Sequence, residues 1–344
     1  MDFASLHIHT LTDLARLPWF KLGEDGKLRL KDDSGVPPVL DVHTHVGWSY
    51  GFARPVDMSR RTGSARHFFN YTISQDVLFE EAHPYPPEKR MMTKEFGLAL
   101  VKTGRSSTTH TAANLVEEME RSGYCGAFLL PNEIPVHSRH AEQTLAASRL
   151  DRRLTAMAAV HPWRWSQCKI DQLERLFAQG ARGLKFNPIW QGIRPDSRHA
   201  MALFEWCAER GVVVLSHCGY CGAEPFFLRY KAVPGHFRAV LESFPKLRLI
   251  LAHTGMSVYQ DALALANAFA DQVWLDISIQ PVPHIQEILR RHDPAKVLYG
   301  SDWPFVPLHV ALARTLVATE DRPDYRHDLL YNNAARLFGI ADTA

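Results

Sequence analysis

The sequence predicts an α/β protein: a (β/α)8 barrel with an N-terminal hairpin extension and a long insertion after the first barrel strand. Three observations carry the prediction. Eight short β-branched runs recur along the chain, each ending in polar or glycine residues. Between them lie amphipathic stretches such as NLVEEMERSG, KIDQLERLFAQG, HAMALFEWCAERG, HFRAVLESFP and HIQEILRRHDP. Strand and helix in alternation imply parallel β-α-β units, and eight units close a barrel rather than extend an open sheet. The length agrees, because 344 residues exceed the ~250 of a typical barrel by an amount that two extra segments can absorb.

Residues 1–38 precede the first barrel strand, and within them 20–30 read as a hairpin turning at Asp25-Gly26. In VPPVLDVHTHVG, Pro37 and Pro38 punctuate and residues 39–42 read as a buried strand. Residues 46–110 form the insertion, far longer than an ordinary β-α connection. It reads as a lid or a dimer arm, and its run EEAHPYPPEKRMM is proline-rich with poor periodicity. Further strands are expected at 126–130, 154–160, 183–186, 212–216, 247–252, 273–277 and 296–300. The segment 114–120 has apolar i, i+4 spacing, with Gly123 as the residue that ends its helix. No internal repeat or second domain is visible, so 1–344 reads as a single barrel domain.

Hydrophobic residues make up 46% and charged residues 22%, which excludes disordered, collagen-like and disulfide-scaffold classes. Lys plus Arg number 39 against 37 Asp plus Glu, a net charge of +2, so nothing calls for nucleic acid or a membrane surface. No run has the ~18 apolar residues of a membrane span, and the N-terminus lacks the pattern of a signal peptide. Five cysteines suit reduced thiols and a cytoplasmic setting. Cys218-x-x-Cys221 has no second pair to complete a zinc ribbon and reads as two small residues in a tight loop. Histidine stands out at 18.

Barrel strands present their C-terminal ends at one rim, so polar side chains at those ends are the candidates for chemistry. The first strand ends in His43-Thr44-His45, and alternation puts both imidazoles on one face. Lys185 lies in GLKFNP, and later expected strands end at His217 inside VVLSHCG, at His253 inside LILAHTG and at Asp302 inside LYGSDWP. The steps from Lys185 to His217 and from His217 to His253 each match one β-α unit. His43, His45, His217 and Asp302 together describe a catalytic site of zinc type, with a position left for water. The metal would lower the pKa of that water towards ~7. Asp302 would serve as general base, and His253 would orient the water, polarise the substrate or protonate it. Taken singly, His253 reads equally as a satisfied core histidine, and Asp302 as a helix cap ahead of Pro304. Two inward histidines left without a ligand are costly to bury, so the joint pattern favours the site. His7-Ile8-His9 repeats the H-x-H spacing without a preceding strand and reads as surface.

The ordered motifs VLDVHTHVG, GLKFNP, VVLSHCG, LILAHTG and LYGSDWP resemble the amidohydrolase-related branch of the amidohydrolase superfamily, as do the ESFPKLRLILAHTG segment and the closing LLYNNAARLFGI. The resemblance runs from about residue 39 to that closing segment and leaves out 1–38 and most of 46–110. It implies a TIM barrel and one or two divalent metals held by His43, His45, His217 and Asp302, with His253 catalytic. Zinc suits the ligand set best, with manganese, iron and cobalt also fitting. Lys185 is either carbamylated and bridging two metals or an unmodified ammonium beside one; GLKFNP resembles the second version more. As a cation it would bind a substrate carboxylate or polarise a carbonyl.

Rim loops add Trp48, Tyr50, Trp163, Trp165, Trp190, Tyr220 and Trp303, and the insertion adds Arg54, Arg60, Arg61 and Arg66. Aromatic walls with arginine suit a flat or ring-bearing acid, although Arg60 and Arg61 read equally as a solvated face. Trp48, Arg54, Arg61, Trp163, Trp190 and Tyr220 are the expected substrate contacts. The leading expectation is hydrolysis of a small ester, lactone or amide; the alternative is non-oxidative decarboxylation of an aromatic or unsaturated acid. A barrel that binds without turnover is the third reading, and it would be expected to lack the ligand set that this chain retains. The partner is a small-molecule substrate, and a homo-oligomer is compatible with the chain.

Overall fold

The computed structural model describes residues 3–69, 76–81, 86–135, 138–222 and 224–340. Ahead of the barrel, β1 (Phe20–Leu22) and β2 (Leu28–Leu30) pair antiparallel, with Gly26 at φ 71° in the turn, as the Asp25-Gly26 signal predicts.

The barrel strands follow in order: β3 (Val39–Thr44), β4 (Tyr124–Leu129), β5 (Leu154–Ala156), β6 (Leu184–Phe186), β7 (Val213–Ser216), β8 (Arg248–Leu251), β9 (Val273–Asp276) and β10 (Val297–Leu298). All eight expected strands are present. They form two parallel sheets, β3-β4-β5 and β6 through β10. Parallel bridges join the sheets at both seams, Ala158 to Leu184 and Thr44 to Trp303. Backbone hydrogen bonds accompany them: Lys185 N to Ala158 O at 2.8 Å, and Asp302 N to His43 O at 2.8 Å. β5 is shorter than the 154–160 expected, because beyond Ala156 the chain keeps only that single bridge to β6. Every residue of β3 is buried, which is why its apolar run is nearly continuous.

Helices cover the barrel: α1 (Pro86–Leu98), α2 (Ala112–Ser122), α3 (His140–Ser148), α4 (Gln167–Ala178), α5 (Arg198–Glu209), α6 (Phe226–Arg229), α7 (Arg238–Ser243), α8 (Tyr259–Ala268), α9 (Val282–Arg291), α10 (Leu308–Ala318) and α11 (Asn333–Phe338). In α2, Thr111 Oγ1 accepts the N–H of Asn114 at 3.1 Å, and Gly123 at φ 75° ends the helix as expected. One large buried cluster joins strands to these helices, and Leu40 and Val42 share a second with Tyr331, Ala334 and Ala335 near the C-terminus. The run EEAHPYPPEKRMM departs from expectation. Residues 82–85 lie outside the described residues, but from Pro86 onward the chain is helical. Pro86 and Pro87 fall in the first turn, where a missing N–H leaves no bond unmade. No helix among the described residues is long and apolar enough to cross a membrane.

Candidate active site

His43 and His45 project from the end of β3 towards one point. His43 Nδ1 lies 2.6 Å from Asp276 Oδ2, and His45 Nδ1 lies 2.7 Å from the carbonyl of Leu130. With both Nδ1 protons donated, both Nε2 atoms carry lone pairs, and these stand 3.2 Å apart. Asp302 Oδ1 is 3.4 Å from each. Zinc–ligand bonds of about 2.0–2.1 Å in a tetrahedron separate ligand atoms by about 3.3 Å, so this triangle fits such an ion. His217 follows β7, its ring centroid 5.0 Å from that of His253, and its buried Nε2 has no hydrogen-bond partner. A buried ring nitrogen without a partner is the state that a metal bond would satisfy. His43, His45 and Asp302 thus form one ligand group; ligand atoms of His43, His253 and Asp276 also lie within 4.8 Å of one another.

Lys185 Nζ reaches to 3.3 Å from His43 Nε2. Burial lowers its pKa to about 7, with Asp302 and Asp276 pulling the other way. Burial, then the Lys185 charge, holds His43 and His45 well below the ordinary imidazole range and His217 at about 3. For His253 burial comes first, then His217 and Lys185. Neutral imidazoles are the form that binds metal. Burial pushes Asp302 well above the carboxylate range, opposed by Lys185.

Asp302 does not cap a helix, since α10 begins at Leu308 after Pro307. It has a left-handed backbone (φ 62°), as do His253 (57°), Thr254 (43°), Met256 (50°) and Ile279 (67°). Such conformations cost of order 1 kcal/mol or more each and persist where surrounding bonds hold them. Here Asp41 Oδ1 accepts from His43 N at 2.9 Å and Ser301 N at 3.0 Å, tying first strand to last. Buried Glu118 accepts from Trp303 Nε1 at 3.0 Å and Leu308 N at 2.8 Å, anchoring the loop after Asp302. Gly300 leaves no room for a Cβ, which would meet Asp276 Oδ1 and His43 Cβ.

Opposite this floor stands an aromatic wall. Trp48, 1% exposed, lies 5.3 Å from His45 by ring centroid, 5.7 Å from Trp190, 5.3 Å from Phe96 and 5.8 Å from Phe305. Phe96 belongs to α1, so the insertion packs over the barrel mouth. Tyr50 sits beside His140, their rings 5.3 Å apart. Trp48 Nε1, Tyr50 Oη and Asn132 Nδ2 are buried without hydrogen-bond partners. The Asn132 amide is oriented by a chain of bonds. Ile189 N and Trp190 N donate to Asn187 Oδ1 at 3.2 Å each, and Asn187 Nδ2 donates to Asn132 Oδ1 at 3.0 Å. Asn187 is two residues beyond Lys185, and Asn132 two beyond Leu130, the acceptor of His45.

The structure therefore brings together His43, His45, Asp302, Lys185 and His253, with His217 beside His253 and with Trp48 and Trp190 above. Other expected contacts lie apart. Arg54 is exposed in an outer cleft of about 530 Å³ with Phe52, Arg60 and Lys102, and none of the site residues lines that cleft. Arg61 and Arg66 are exposed. Trp163 is 52% exposed beside Glu133, His161 and Lys169, with Arg164 over its ring. Tyr220 bridges Met256, and Trp165 packs on the core. His7 and His9 are exposed, and Cys218 and Cys221 form no disulfide, Cys221 Sγ donating to Glu224 Oε1 at 3.4 Å. Asp276, Ser278 and Asn132 were not expected. The polar alternation that closes VWLDISI, on the one late strand for which no end residue was sought, was the available signal.

The amidohydrolase family profile matches residues 126–340. A comparison with curated proteins gave no sequence match. Among solved structures, a TIM-barrel protein from Bordetella bronchiseptica is similar at TM-score 0.59 and 16% identity, over 88% of this chain and 98% of that one. A 5-carboxyvanillate decarboxylase from Sphingomonas paucimobilis is similar at 0.57 and 13%, over 88% and 99%. A probable 2-pyrone-4,6-dicarboxylic acid hydrolase from Acinetobacter baumannii, with citric acid bound, is similar at 0.54 and 16%, over 88% and 99%. At these identities the likeness is one of fold.

Proposed function

The chain belongs to the amidohydrolase family, and from that premise we propose that it is a metal-dependent hydrolase of a small ester, lactone or amide bearing a carboxylate or a ring. The observation that carries the reading is the triangle of His43 Nε2, His45 Nε2 and Asp302 Oδ1, with the unpartnered Nε2 of His217 nearby. These four residues would hold one divalent ion, zinc suiting them best. Such an ion supplies Lewis acidity and a water of pKa near ~7. Lys185, unmodified, neutralises charge developing on the substrate carbonyl oxygen or binds its carboxylate. Asp302 and His253 would take a proton from the attacking water and return it to the leaving group. Trp48 and Trp190 offer a flat apolar surface, and the amide of Asn132 a donor for a substrate oxygen. Phe96 and Phe305 close the mouth against bulk water.

That aromatic enclosure also favours a second reading, decarboxylation of an aromatic or unsaturated acid, in which the aromatic wall would hold the ring and Lys185 the carboxylate. Turnover of a panel of lactones, esters and aromatic acids in ¹⁸O-water separates the two. Label in the product establishes hydrolysis; release of CO2 without solvent label in the remaining product establishes decarboxylation. No turnover of any panel member by zinc-loaded protein would count against both.

A further inference from the structure

Asp276 and Ser278 link two imidazoles that the proposed chemistry uses separately. Asp276 ends β9, and its Oδ2 lies 2.6 Å from His43 Nδ1. Ser278 Oγ donates to the same Oδ2 at 2.9 Å and stands 2.8 Å from His253 Nδ1. Asp276 Oδ1 accepts the Ser278 N–H at 2.8 Å, which fixes the plane of the carboxylate. A serine hydroxyl has one proton to give. With that proton directed to Asp276, the oxygen can only accept from His253, so His253 carries its hydrogen on Nδ1 and a lone pair on Nε2. The backbone holds this arrangement from both sides: Gln280 Nε2 donates to the His253 carbonyl at 2.6 Å, and Thr254 Oγ1 donates to the Asp276 carbonyl at 2.9 Å.

We propose that Asp276 and Ser278 are positioning residues that lock His43 and His253 in the Nδ1–H tautomer, so that His253 Nε2 enters the reaction as a proton acceptor while His43 Nε2 faces the ion. The arrangement also explains why Gly300 is needed, since any side chain there would displace the carboxylate that both histidines depend on. The hydrogen-bonded partner of a metal-binding histidine typically accounts for 10–100-fold in metal affinity. The metal arm rests on the function proposed above; the tautomer arm does not.

The test is ¹⁵N NMR of histidine-labelled protein at neutral pH, metal-free and zinc-loaded, with the His253 signals identified by their loss in His253→Gln. The native protein is expected to show a protonated Nδ1 and an unprotonated Nε2 at His253. Ser278→Ala should move the pair towards a mixture of tautomers, and Ser278→Thr, which keeps the hydroxyl, should restore the native pattern. Asp276→Asn should weaken zinc binding about 10–100-fold in chelator competition. A His253 protonated on Nε2, a native pattern surviving in Ser278→Ala, or full zinc affinity in Asp276→Asn would each overturn the proposal. If the native protein bound no zinc, the proposed function would fail, and the metal-free spectra would still decide the tautomer.

Discussion

The floor and the wall of the chamber are built on opposite terms. On the floor, the ends of β3, β8, β9 and β10 are bound into one another: His43 to Asp276, Asp276 to Ser278, Ser278 to His253, and Asp41 across the seam. Its polar side-chain atoms without a partner include Asp41 Oδ2 and the proposed metal-facing Nε2 of His217. On the wall, the insertion and the segments after β4 and β6 bring three buried groups without partners, Trp48 Nε1, Tyr50 Oη and Asn132 Nδ2. A buried donor left unpaired costs about 1–3 kcal/mol, and under the function proposed above the substrate would complete these bonds. Under the proposed function, the floor would carry the chemistry and the wall the recognition.

The largest expected break in this comparison is at Lys185, on the floor. Lys185→Met should lower turnover about 10²–10³-fold, as loss of an oxyanion donor does, with the metal count unchanged. Loss of metal together with turnover would instead make Lys185 part of the ligand set. On the wall, Asn132→Leu should raise KM about 10–100-fold for the substrate found in the labelled-water screen, the size expected when a bond to a charged oxygen is lost, with metal content intact. Arg54→Ala and Arg61→Ala should leave KM where it was, and a rise in either would move the exposed arginines back into the site.

A smaller effect concerns the insertion beneath the wall. His110 is fully buried, its Nε2 2.8 Å from the carbonyl of Arg66, and burial lowers its pKa to about 3. The unfolded chain takes up this proton near pH 6.5 while the folded chain does not, so stability is lost progressively as pH falls from about 6.5 towards 3. Urea unfolding of chelated protein should show His110 contributing about 2 kcal/mol of destabilisation between pH 7.5 and 5, absent in His110→Gln. An unaltered pH slope in that variant would place the imidazole in contact with water.

Much of the floor was legible because its signals are local. The spacing of His43 and His45 on one strand, and the recurrence of a polar residue after each apolar run, need only the period of a β-strand. Asp276 and Ser278 escaped notice because what gives them meaning is His43, 233 residues away in the chain. Arg54 and Arg61 show where sequence informs least: composition places arginines in the insertion, but loop conformation decides which way they face, and both are exposed. The hairpin at Asp25-Gly26 was legible because its turn needs Gly26 at positive φ. Helix α1 was not, because Pro86 and Pro87 read as breakers until their place in the first turn is known.

The central claim is a single ion held by His43, His45, His217 and Asp302. Elemental mass spectrometry of protein purified without chelator, alongside His217→Ala, tests it most directly. About one equivalent of a divalent metal in the native protein, lost in the variant, is the predicted result. Two equivalents would contradict the unmodified Lys185, and no metal in a protein that still turns over substrate would contradict the site itself.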